Sequence, residues 1–126
     1  MELAHVVVHL RYPTARETSA ALLRVLAQGR PTIVSDLEHL ADIPADAALR
    51  ADVADEEGEV FRGLLHLLER PELGQRLGRA AAAFVAHQHS AARCLAAYEA
   101  ALERAAALPD PPPRDWPPHW PRRAAA

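Results

Sequence analysis

The chain has 126 residues and contains no lysine, no asparagine and a single cysteine. With lysine missing, every non-histidine basic residue is arginine. Together with the abundant alanine, this points to a coding bias and not to a phosphate-binding surface. The formal net charge of -3 gives no global case for a nucleic-acid partner. Cys94 cannot form an internal disulfide, which excludes a cysteine-stapled secreted scaffold. Its neighbours Arg93 and Leu95 to Ala97 read as helix, so a buried or half-buried thiol is expected. No apolar run approaches the ~20 residues needed to span a bilayer. No basic segment followed by an apolar one marks a signal peptide, leaving the cytoplasm as the default compartment. Walker loops, GxGxxG fingerprints and GxSxG elbows are all missing. The histidines offer no metal set. His87 and His89 diverge on a helix, and His5 and His9 share a strand face without a third ligand.

Half of the residues are apolar and a quarter charged, as in ordinary globular proteins. The β-branched run Ala4–Leu10 suits a strand buried on both faces of a parallel sheet. A helix is expected from about Thr18 to Gly29, with Leu22, Leu23, Val25 and Leu26 inward and Gly29 as its left-handed stop. Pro31 then opens a strand, Thr32–Ser35. A polar connection from Asp36 to Ala48 holds a short helical turn near Leu37–Leu40. Leu49–Val53 reads as a third, edge-like strand.

Acidic Asp55, Glu56, Glu57 and Glu59 favour the positive end of a following helix, about Glu57–Glu69, and read as its solvated entrance. That helix is expected to bury Val60, Phe61, Leu64, Leu65 and Leu68. Pro71 starts the next helix, which runs to about Ala86 with Leu73, Leu77, Ala80, Phe84 and Val85 inward. Ser90 is a plausible N-cap for the last helix, whose inner face carries Leu95, Tyr98 and Leu102. From Leu108 the proline-rich sequence, with Trp116 and Trp120, reads as an extended tail. The predicted class is α/β: the second half of a Rossmann-like parallel sheet, about three strands, followed by C-terminal helices. A partial domain over 1–107 and a tail over 108–126 are expected.

The loop Arg11–Ser19 is the prime candidate site, because ligands in open α/β sheets bind outside the carboxyl ends of the strands. A helix N-terminus supplies N–H donors suited to phosphate, and Glu17 can accept from sugar hydroxyls. The same Glu17, Thr18 and Ser19 would equally serve as plain helix caps. Arg11, Arg16, Arg24 and Arg30 surround the element; Arg24 lies two helical turns after Glu17, on nearly the same face.

Three segments follow one another here in a particular order: Pro13-Thr-Ala-Arg-Glu-Thr-Ser, Leu23-Arg-Val-Leu-Ala-Gln-Gly29 and Pro31-Thr-Ile-Val-Ser-Asp36. This series resembles the C-terminal part of family 4, GT-B-fold glycosyltransferases. There a P-S…E-G-F-G loop is followed by L-E-A-M-A-x-G and P-V-I-A-S-D. The stretch Leu68–Val85 is similar to the family's L-x-D-P-E-L-R-x-x-L-G-x-x-A-R helix pair, and His89-Ser90 to its F-S-W. A subgroup with L-R-Y-P-T-x-G-E-T-S-G-S-L-L-R is closer still to Leu10–Arg24. The match covers Ala4 to about Tyr98.

The resemblance implies a nucleotide-sugar donor as substrate, with no separate cofactor. It places Glu17, the assigned catalytic residue, at donor sugar hydroxyls, and Thr18 and Ser19 beside the sugar and diphosphate, with Arg16 and Arg24 as further donor-site residues. The position of the family's ribose-binding glutamate is held here by Arg24, as in the closer subgroup. Two subgroup glycines are replaced, by Arg16 and Ala20, which narrows backbone approach to a ligand. The implied function is the donor side of a sugar transferase, inactive alone. Its partner would be the remaining N-terminal glycosyltransferase portion or a second copy. The alternative is a non-catalytic α/β interaction module.

Overall fold

The computed structural model describes residues 4–12 and 19–109. Three short parallel strands, β1 (Val7–His9), β2 (Thr32–Ser35) and β3 (Leu49–Ala51), form one sheet in the order β1-β2-β3. Val8 pairs with Ile33, and Val34 with Arg50. Helix α1 (Ala20–Ala27) connects β1 to β2, and α2 (Glu56–Glu69), α3 (Pro71–Gln88) and α4 (Ala91–Ala106) follow β3. The architecture is the α/β class read from the sequence, a Rossmann-like half-fold.

Local chemistry explains the element ends. The Ser19 backbone is extended, and its Oγ accepts the Leu22 N–H at 3.2 Å, capping α1. Gly29 ends that helix at φ 66°, a conformation that side chains other than glycine rarely adopt. Pro71 occupies the first turn of α3, where its missing N–H costs nothing. Ser90 caps α4 through the Arg93 N–H.

Strand alternation sends Val34 and Ile33 to opposite faces of the sheet. Val34 joins Leu22 and Leu26 of α1, with Leu40, Ile43 and Ala47 from the β2–β3 connection and Ala81 of α3. Ile33 joins Leu67 of α2, Leu77 of α3 and Ala51. Leu26, Val34 and Ile33 are essentially solvent-free, and burying each such side chain stabilises the fold by about 1.5–3 kcal/mol. Helix α3 contributes to both clusters and so closes one end of the sandwich.

Four expectations are corrected. The run Ala4–Leu10 is not buried on both faces: only Val7–His9 is strand, paired on one side, and Val8 and Leu10 are exposed at the sheet edge. In α2 the fully buried residue is Leu67, whereas Phe61, Leu65 and Leu68 are exposed, because the sheet meets a face of the helix turned away from them. No residue of α4 is buried, so Leu95, Tyr98 and Leu102 line no inner face. Cys94 lies on that same uncovered helix and is exposed. The tail from residue 110, with Trp116 and Trp120, lies outside the described residues.

Candidate functional site

The carboxyl ends of the strands converge on Ser35, the last residue of β2. Its side chain is fully buried. The Ser35 hydroxyl donates to Glu56 Oε1 at 2.5 Å and accepts the Arg11 backbone N–H at 3.1 Å. One hydroxyl thus joins the end of β1, the end of β2 and the first turn of α2. Glu56 is half-buried and sits at the positive end of its helix, where a carboxylate is favoured. The expectation of a solvated acidic entrance therefore holds for Asp55 and Glu57, both exposed, but not for Glu56.

Beside Ser35, the Asp36 N–H continues the sheet ladder to the Ala51 carbonyl at 2.7 Å. The Asp36 carboxylate meets Arg50 Nη1 at 3.2 Å. Arg50 Nη2 also donates to the carbonyls of Leu40 and Ile43, at 2.9 and 3.0 Å. This single guanidinium fixes the connection that leaves β2. An open cleft of about 540 Å³ lies against it, with Asp36, Glu38, Pro44 and Arg50 in its walls.

His9 closes β1 on the same side. Its Nε2 is enclosed and has no hydrogen-bond partner among the described residues. Burial, helped by the neighbouring Arg11 charge, lowers its pKa below the ordinary histidine value. On the other flank, the Arg62 guanidinium donates to Asp55 at 2.7 Å and holds that exposed carboxyl below the usual carboxylate range.

Glu17, Thr18 and Arg16 lie outside the described residues. Ser19 is buried at the start of α1, its Oγ occupied by the Leu22 N–H, which leaves the hydroxyl proton as its donor. Arg24 is exposed and lies in the last turn of α1, about 7 Å along the axis from Ser19. The described residues therefore do not bring Ser19 and Arg24 to one point. They show instead a cluster that the sequence reading passed over: Ser35 with Glu56, next to Arg11 and Asp36. A serine ending the central strand followed by an acidic residue was the available signal. Its pairing with a residue 21 positions away had none.

The cluster can both donate and accept hydrogen bonds, as recognition of a hydroxylated ligand requires. Among the described residues no group of histidine, cysteine and carboxylate side chains is arranged to hold a metal ion. No helix among them is long and apolar enough to cross a membrane. No protein-family model matches the sequence, and no curated protein does.

Proposed function

We propose that this chain is the donor-side portion of a GT-B-fold glycosyltransferase, one that transfers a sugar from a nucleotide-sugar to an acceptor and needs a further part to be active. The observation that carries the reading is a coincidence of motif and place. The described part of the ordered series, Ser19 to Asp36, is α1 followed by β2, parallel to β1, with Ser19 at the start of the helix and Asp36 directly after the carboxyl end of β2. That is where open α/β sheets bind nucleotides.

In this reading Glu17 accepts hydrogen bonds from the donor sugar. The loop with Arg16, Thr18 and Ser19 approaches the diphosphate, while Arg24, in the last turn of α1, stands apart from it. The protein's contribution is to position the donor and to stabilise charge on the departing diphosphate. Calorimetry with UDP, GDP and their sugar conjugates tests it. Sub-millimolar binding is expected, and Glu17→Ala should weaken sugar-nucleotide binding while sparing the nucleotide alone. A folded chain that binds none of them contradicts the reading.

A second reading, a non-catalytic association module, is favoured by one observation: the apolar stripe of α4 is uncovered along its length. In that case nucleotides do not bind and the helix alone carries the function.

A further inference from the structure

Two helices of this chain present exposed apolar stripes. On α2 these are Phe61, Leu65 and Leu68, between 45% and 78% exposed. On α4 they are Leu95, Tyr98 and Leu102, between 60% and 68% exposed. Isolated exposed leucines are ordinary, but stripes at helical spacing are the pattern of a helix seam.

The two spacings match each other. Along α2 the stripe steps by four residues and then three. Read backwards, α4 also steps by four and then three. Antiparallel alignment therefore brings Phe61 opposite Leu102, Leu65 opposite Tyr98 and Leu68 opposite Leu95, in one unbroken register. Alternating steps of three and four are what knobs-into-holes packing needs.

One charge pair flanks the same register, on the exposed guanidinium that also bonds Asp55 and Glu59 of its own helix turn. Arg62 falls beside Glu99, with Glu103 one turn on. The antiparallel helix dipoles add to the attraction.

The pairing cannot close within one chain. Helix α4 begins where α3 ends, and α3 has 18 residues, so about 27 Å separates that point from the end of α2. Leu95 lies just inside α4 and stays on the wrong side of that span from Leu68.

We infer that α4 of one chain docks on α2 of a second copy, and reciprocally, giving a twofold dimer. Each chain supplies both stripes, so the interface is self-complementary. At roughly 100 Å² of exposed surface per stripe residue, the reciprocal pairing buries on the order of 1,200 Å², the lower bound for stable association. The inference does not depend on any sugar-transfer role.

Sedimentation of the full chain, with two exposed-site variants, tests it. The wild type should dimerise. Phe61→Glu and Tyr98→Glu, each folded by circular dichroism, should both weaken the dimer by about tenfold or more. Arg62→Glu should also weaken it, and adding Glu99→Arg should restore it. Oxidative cross-linking then fixes the register. In a Cys94→Ser background, a chain carrying Leu68→Cys mixed with one carrying Leu95→Cys should give a covalent dimer at a yield that neither chain reaches alone. A wild type that stays monomeric up to millimolar concentration overturns the inference. So does a dimer that survives Phe61→Glu but not Tyr98→Glu, which would mean that α4 pairs with α4.

Discussion

Ser35 and Glu56 are joined by a 2.5 Å hydrogen bond between the end of the central strand and the first turn of α2. Ser35→Ala removes that bond and also the acceptor of the Arg11 N–H bond. Leaving buried polar groups unpaired costs about 1–3 kcal/mol. Urea unfolding should show the loss. A double-mutant cycle with Glu56→Ala should return a coupling of about 0.5–3 kcal/mol, since the two side chains are in contact. Additive effects would mean that the hydroxyl and carboxylate act independently.

Gly78 of α3 lies directly over the Gly29 carbonyl. A Cβ at position 78 would overlap that oxygen, and the obstacle is backbone, already committed to the positive-φ turn that ends α1. Gly78→Ala should force α1 and α3 apart. Overpacking of this kind costs about 1–3 kcal/mol or more. Gly74→Ala meets side chains and no backbone, the Pro31 ring at 3.1 Å and Leu67 at 3.7 Å, which have more room to give. Chemical denaturation should rank Gly78→Ala well below Gly74→Ala in stability.

His9 sets a pH dependence. Its folded pKa is lowered by burial and by Arg11, so the unfolded chain binds the proton more readily. The His9 contribution is therefore fully present above the unfolded pKa of about 6.5 and is lost as pH falls toward the folded value. Between those limits stability should rise with pH. An NMR titration of the His9 ring should give a midpoint below the ordinary histidine value of about 6.5. His9→Gln should flatten the slope of stability in the same window.

Local signals carried most of the fold. Ser19 can cap a helix with its hydroxyl, and Gly29 and Pro31 each favour a backbone geometry that few other residues share, so the ends of α1 and the start of β2 were legible. The Thr32–Ser35 strand followed from its β-branched core. Which helix face is covered was not legible. Phe61, Leu65 and Leu68 have the periodicity of a core face, and so do Leu95, Tyr98 and Leu102, but period says nothing about what lies opposite. Leu67, the residue of α2 that the sheet does cover, belongs to neither stripe.

At the site, Ser35 reaches Glu56 across the sheet and Arg50 reaches Asp36 across the β2–β3 connection. Such pairs depend on topology and leave no trace in local spacing. The motif series from Pro13 to Asp36 ends beside Ser35, but the link of Ser35 to Glu56 came only from the structure.

Donor binding is the most direct test of the functional account. The chain should be titrated with UDP- and GDP-sugars while its backbone amides are followed by NMR. The account predicts saturable shifts at Arg11, Ser19 and Glu56, around the strand carboxyl ends, with α4 unmoved. A well-folded chain whose amides at these positions stay still under saturating sugar-nucleotide would contradict it.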